Sequence, residues 1–303
     1  MKRIIIALSL ACTALAAPSM AAPDDDPLLR PIAADFAKRW LTPQPPTRIF
    51  GNTYMIGFGG LSVALIRTSA GLILIDGAVP QAVRDVEANI RALGFRLSDV
   101  KFILSTEPHY DHAGGLAALE RDTGATVVAS ADAATILRAG GKDSRDAQAA
   151  VLSLFPAPAR VRAVRDGETL RLGDVTVTAV ATPGHTHGSM SWRWRSCEGK
   201  TCVPVLFASS LNPASAEGYR FSDPAHQPIV QAFRRSFARM RGERCGILLT
   251  AHPDQSGGDQ KFVRLQARRS PNPFIDPGAC RSYADKFEAL LDAKLGREIA
   301  AER

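Results

Sequence analysis

The chain has 303 residues, of which 46% are hydrophobic and 22% charged, and its formal net charge is +7. This composition is ordinary for a globular protein, and the length allows one large domain or two small ones. The basic residues are scattered, without a basic patch interleaved with stacking aromatics, so the sequence excludes a recognisable nucleic-acid module.

Residues 1–21 have the pattern of a secretory signal. A basic start is followed by an apolar run from Ile4 and then by small residues that end at Ala21. The run is too short for a permanent anchor, and no later segment approaches about 20 uninterrupted apolar residues. We therefore expect an exported, periplasmic protein with no stable membrane anchor. Removal of Lys2 and Arg3 with the signal would lower the formal charge by two, to +5.

The predicted elements begin with a strand meander, "RIFGNTYMIGFGGLSVALIRTSAGLILIDGAVP", in which glycines break short β-rich runs. "PQAVRDVEANIRALG" follows, with Val83, Val86, Ile90 and Leu93 at helical spacing and Gly94 as a C-terminal stop. Strand, helix and strand then succeed one another in "VKFILS", "GGLAALERDTG" and "TVVAS". The first half of the chain is thus a β-then-α unit.

A second β-then-α unit is predicted to begin after Ala159, where "RVRAVRDGETLRLGDVTVTAVATPGH" reads as strands joined by Gly-Asp turns. Two such units predict an α/β fold with two sheets packed face to face and helices outside, a four-layer αββα sandwich. No linker divides them, so we expect one domain over 47–303, preceded by an extended lead-in at 22–46. The segment 142–160 gives helix and loop signals and no sign of a pocket.

Five cysteines are present, and export makes disulfides the expected state of those in the mature chain. Cys197 and Cys202 flank a turn-like stretch between two apolar runs, as in a clip across a hairpin. Cys245 and Cys280 would tie the start of a strand to the start of the last helix. Zinc coordination is the competing interpretation, although paired C-x-x-C units are lacking. Cys12, within the signal, could alternatively be lipidated.

Polar clusters follow three predicted strands, at the positions where rigid sheets present functional groups. "FILS" leads into Glu107, "TVTAVATPG" into His185, and "GILLTA" into His252. Pro108 favours an extended Glu107, so Glu107 and His109 can point at one spot.

Two further side chains of the same stretch, Asp111 and His112, follow at the start of a helix and can face a second spot nearby. Four of the six histidines lie in these clusters with the local pattern Glu-x-His-x-Asp-His, which predicts a metal site. His187 and His226 are left without an assigned role.

These motifs resemble the metallo-β-lactamase superfamily, and specifically its subclass B3. The resemblance runs from "GNTYMIGFGGLSVALIRTSAGLILIDGA" through "TPGHTHGSMSW" and "SSLNPASAEGYRF" to "TAHPDQSG". The histidine motif carries the superfamily; "SMSW", the Ser-Leu-Asn segment and the placement of Cys245 and Cys280 carry the subclass.

The resemblance implies a zinc-dependent hydrolase that opens the β-lactam ring by attack of a hydroxide bridging two Zn²⁺ ions. It implies a small-molecule β-lactam substrate and catalytic orientation of the hydroxide by Asp111. Independently of the resemblance, we expect a monomer. Ser210 and Asn212 match positions near the second zinc or the substrate carboxylate, and the alternative is that they are loop residues that cap turns. Asp76 matches a buried structural acid. The ligands implied for the first zinc are Glu107, His109 and His185, and those for the second are Asp111, His112 and His252.

Glu107 departs from the usual pattern, which has histidine there. Zinc accepts carboxylate oxygen, so the change is compatible with a working site. A second anionic ligand should make the first zinc a weaker Lewis acid, with a water that is harder to deprotonate.

Two other functions compete with β-lactam hydrolysis. A lactone or thioester hydrolase of the same fold would usually carry an additional aspartate where "VLFASSLN" offers serines. A non-catalytic zinc protein is disfavoured because Asp111 and the other ligand candidates are retained.

Overall fold

The computed structural model describes residues 26–268 and 270–301, so the predicted signal at 1–21 lies outside the described residues. Two sheets pack face to face with helices on their outer surfaces, which confirms the predicted αββα sandwich. The first sheet runs in chain order, antiparallel as far as its fourth strand and parallel beyond it. Its strands are β1 (Thr47–Phe50), β2 (Thr53–Met55), β3 (Ala64–Thr68), β4 (Gly71–Ile75), β5 (Val100–Leu104), β6 (Thr126–Ser130) and β7 (Val161–Val164).

The second sheet has the strand order β12-β11-β10-β9-β8, and only its β11–β12 pair is parallel among the described strands. Its strands are β8 (Thr169–Leu172), β9 (Val175–Ala181), β10 (Met190–Glu198), β11 (Thr201–Ala208) and β12 (Ile247–Thr250).

Helices cover both outer faces. Within the described residues, no helix is both long enough and apolar enough to cross a membrane. The helices are α1 (Ala34–Ala37), α2 (Val83–Ala92), α3 (Tyr110–Ala113), α4 (Leu116–Thr123), α5 (Ala131–Arg138), α6 (Gln227–Gly242), α7 (Gly258–Gln266) and α8 (Ala279–Ala300).

The apolar spacing of the sequence explains how the layers pack. In α2, Val83, Val86 and Ile90 are fully buried against the first sheet, and Gly94 takes a φ of +82° just beyond the helix. Between the sheets, Trp192 and Phe207 are also fully buried. Burial of each such side chain stabilises the fold by about 2 kcal/mol, which holds the sheets rigidly enough to position loops at their edges.

Two expectations about chain organisation are wrong. β7 was expected in the second β-then-α unit, but it pairs with β6 and is the last strand of the first sheet. The two strands are parallel because α5 connects them by a crossover. The lead-in is not extended throughout: it contains α1, which brings Phe36 and Trp40 into contact at 4.9 Å between ring centroids.

Both expected disulfides are present. Cys197–Cys202 links β10 to β11 across their hairpin, and Cys245–Cys280 ties the approach to β12 to the first turn of α8. All four of these cysteines are therefore committed to disulfides and not to a metal.

Candidate metal centre

The predicted ligands gather at one edge of the sandwich, beyond the ends of β5, β9 and β12. The loop after β5 is held by Asp76, a fully buried residue that accepts hydrogen bonds from the Thr106 amide at 2.7 Å and its hydroxyl at 2.6 Å. Asp76 thereby fixes the backbone one residue before Glu107, as expected for a structural acid.

Six side chains fall into two groups of three, and within each group the potential ligand atoms lie within 4.8 Å of one another. The groups are the same as those implied by the sequence resemblance. We call them the first set (Glu107, His109 and His185) and the second set (Asp111, His112 and His252).

The second set has the spacing of a tetrahedral metal site. Asp111 Oδ2 lies 3.4 Å from His112 Nε2 and 3.4 Å from His252 Nε2, and the two nitrogens are 3.2 Å apart. Ligands about 2.1 Å from a tetrahedral metal are separated by about 3.4 Å. The three atoms therefore fit around one zinc-sized ion.

The histidines of the second set also have contacts through Nδ1, the ring nitrogen that does not face Asp111. His252 Nδ1 lies 2.8 Å from the Gly60 carbonyl, which fixes the ring with Nε2 toward Asp111. His112 Nδ1 lies 3.6 Å from Asp76 Oδ2. A hydrogen bond such as that of His252 holds an imidazole ligand in a single tautomer and direction.

In the first set, each side chain uses one polar atom to hold its position. Glu107 Oε2 accepts a hydrogen bond from the Ser210 amide at 2.7 Å, while its Oε1 is buried without a hydrogen-bond donor among the described residues. His185 Nδ1 lies 2.9 Å from the Asn212 carbonyl. His109 Nε2 lies 2.9 Å from Asp146 Oδ2, which leaves Nδ1 available to a metal.

Glu107 connects the two sets. Its Oε1 lies 3.4 Å from His185 Nε2 of the first set and 3.3 Å from His112 Nε2 of the second. A buried carboxylate oxygen with no donor, placed between imidazole nitrogens, is suited to a cation.

The charges of the site favour a cation as well. Burial alone would lower the pKa of His112, but the carboxylates of Asp111 and Glu107 raise it to about 10. Burial opposes ionisation of Glu107, yet the surrounding histidines, led by His112, hold its pKa below the usual range. A divalent metal supplies the positive charge that these carboxylates attract.

Four of the candidate ligands, His109, Asp111, His185 and His252, line a cleft of about 930 Å³. Contrary to expectation, the segment 142–160 forms part of it: Gln148, Val151 and Leu152 line the cleft, and Gln148 Nε2 lies 3.5 Å from His185 Nε2. The segment is drawn in because Asp146 binds His109, a contact that no local sequence pattern signals.

The lead-in supplies another part of the cleft that the sequence did not indicate, through Phe36, Arg39 and Trp40.

The two unassigned histidines, His187 and His226, belong to neither set. His187 Nδ1 lies 3.6 Å from Asp143 Oδ2, and the His226 ring stacks on the Tyr219 ring with 4.0 Å between centroids.

Comparison with known proteins agrees with this geometry. Residues 56–252 match the metallo-β-lactamase superfamily, and the chain belongs to that superfamily. A solved B3 metallo-β-lactamase with an active-site glutamic acid is 54% identical, with 90% of this chain and 98% of that one covered and a TM-score of 0.84. MEM-A1, a subclass B3 enzyme from a soil metagenome library, is 42% identical over 87% of this chain and 100% of its own, with a TM-score of 0.83. The protein is accordingly a subclass B3 metallo-β-lactamase, as the sequence motifs indicated.

Curated relatives of another kind are more distant. A hydroxyacylglutathione hydrolase of Methylococcus capsulatus is 31% identical over 225 residues, which cover 73% of this chain and 70% of that enzyme. Membership of the superfamily, together with the two ligand sets, implies metal dependence.

Proposed function

We propose that the protein hydrolyses the β-lactam ring of antibiotics with two Zn²⁺ ions per chain, one held by each ligand set. The observation that carries the proposal is the position of Glu107 Oε1, within 3.4 Å of a histidine of each set. Two adjacent sites built of imidazole and carboxylate suit zinc.

Zinc, when bound, would polarise the lactam carbonyl and lower the pKa of a water to near neutrality. The chain's own residues would orient the attacking water and hold the candidate ligands in position. Asp111, which lines the cleft, would orient the attacking water by accepting one of its hydrogen bonds. Asp146, Ser210 and Asn212 would fix the first set through the contacts described above.

Ser210 and Asn212 are the proposed substrate-binding residues. Ser210 Oγ and Asn212 Oδ1 are both buried without a hydrogen-bond partner among the described residues. Buried polar atoms of this kind are normally satisfied, so a bound polar group is a reasonable partner. Their backbones contact Glu107 and His185 of the first set, which supports a role beside the metal centre.

Thioester hydrolysis, the activity suggested by the hydroxyacylglutathione hydrolases, is the weaker candidate. Those relatives match at 31% identity or less, against 54% for the B3 enzyme with an active-site glutamic acid. After β11, the chain carries "SSLN" where such enzymes usually carry an aspartate.

The proposal also includes the location of the protein, which we expect in the periplasm. It further includes a monomeric state. The two disulfides favour an oxidising compartment. The start of β1 at Thr47 suits a domain over 47–303 with a lead-in at 22–46.

Ring opening of a carbapenem, followed by ultraviolet absorbance with the purified protein, tests the function. Turnover that is lost on chelation and restored by zinc is the expected result. A hydroxyacylglutathione thioester assayed in parallel separates the two candidates, and faster hydrolysis of the thioester would overturn the proposal.

A further inference from the structure

Arg39 stands at the mouth of the cleft, on the segment that leads into the first sheet. Its guanidinium carbon lies 3.6 Å from the centroid of the Phe36 ring and 4.6 Å from that of the Trp40 ring. All three residues line the cleft, and Phe36 is 49% exposed. Cation–π contacts with two rings hold the guanidinium in place at the surface.

Trp40 connects Arg39 to the second ligand set. The Trp40 ring centroid lies 5.6 Å from that of His252 and 6.3 Å from that of Tyr110. Arg39 therefore lies on the side of the cleft that holds the second set, separated from His252 by one aromatic ring.

No carboxylate neutralises this charge among the residues that the structure describes, where the partners of Arg39 are Phe36 and Trp40. Arg39 is also the only lysine or arginine among the described residues that line the cleft. The adjacent Lys38, by contrast, pairs with Asp35 at 2.8 Å. A guanidinium that is held by two rings, with no carboxylate partner among the described residues, can bind an anion that enters the cleft.

We propose that Arg39 binds the carboxylate on the ring fused to the β-lactam, and so is a specificity-determining residue. The inference rests on the proposed function and names a contact additional to Ser210 and Asn212. A planar guanidinium pairs with a carboxylate through two parallel hydrogen bonds, and every substrate with a free ring carboxylate offers that partner. Arg39 belongs to neither ligand set, so we expect the contact to act on substrate binding.

Steady-state kinetics on a penicillin and on its methyl ester test the proposal, with Arg39→Met replacing the guanidinium by an uncharged side chain. We expect the substitution to raise KM for the free acid about threefold to fivefold, as for a partly exposed ion pair. For the ester, the rise in KM should be at least threefold smaller than for the acid. Arg39→Lys should give an intermediate KM for the acid, because a point charge lacks the paired donors.

Lys38→Met is the matched control, because it removes a neighbouring cation that does not line the cleft. It should leave KM for the acid within twofold of the parent enzyme. Salt supplies a second readout: KM for the acid should rise with ionic strength in the parent and less steeply in Arg39→Met. Equal KM changes for acid and ester, or none, would overturn the role of Arg39 while turnover by the parent still supported the proposed function. Failure of the parent to open either compound would overturn both.

Discussion

His109 Nε2 lies 2.9 Å from Asp146 Oδ2, and each side chain is only 5% exposed. Burial alone would lower the pKa of His109, but the hydrogen bond and charge of Asp146 raise it above its ordinary value. Asp146 Oδ1 accepts a further hydrogen bond from the backbone amide of Gln148 at 2.7 Å. One carboxylate thus orients a candidate ligand and anchors the segment that lines the cleft.

Loss of that carboxylate should weaken zinc binding at the first set. We expect Asp146→Asn to lower zinc affinity about tenfold, because the partner that orients and polarises His109 loses its charge. Competition with a chromophoric chelator measures the affinity, and circular dichroism verifies the fold. Asp143→Asn is the control, since Asp143 pairs with Arg145 in the same segment. Equal affinities in the two variants would contradict the assignment.

The anionic Glu107 should make the first site a weaker Lewis acid. Glu107 and Asp111 place two negative charges among the six ligands, so Glu107→His should let zinc deprotonate water more readily. The acidic limb of the pH profile of kcat should move to lower pH, by about one unit. Glu107→Gln, which removes the charge without adding an imidazole, should move the limb in the same direction. An unchanged limb in both variants, with unchanged zinc affinity, would refute the electrostatic argument.

Ser210 offers a way to separate substrate binding from metal binding. Its backbone amide, not its hydroxyl, holds Glu107. Ser210→Ala should therefore raise KM for a β-lactam about threefold while zinc affinity stays within twofold of the parent. A loss of zinc affinity without a change in KM would show that the hydroxyl serves the metal centre instead.

The two disulfides should differ in their contribution to stability. Cys245–Cys280 spans 35 positions of sequence and Cys197–Cys202 only 5. On the chain-entropy argument, replacing the first pair by serines should lower the free energy of unfolding by about 4 kcal/mol and replacing the second by about 2 kcal/mol. Guanidinium unfolding of the two double variants measures both. The reverse order would contradict the argument.

The sequence predicted the six candidate ligands because each follows a strand or begins a short helix, where local patterns are strong. It did not predict Arg39 or Asp146. Arg39 reaches the cleft through a turn of helix in a segment expected to be extended, and Asp146 contacts a candidate ligand, His109, 37 residues away. Local periodicity also did not reveal that β7 belongs to the first sheet, because a strand has the same alternation in either sheet.

Stepwise return of zinc to the chelated protein, with carbapenem ring opening recorded at each addition, tests the central claim most directly. Turnover should appear with zinc and reach its maximum at two ions per chain, one for each ligand set. Absence of ring opening in protein that has bound two zinc ions would contradict the account.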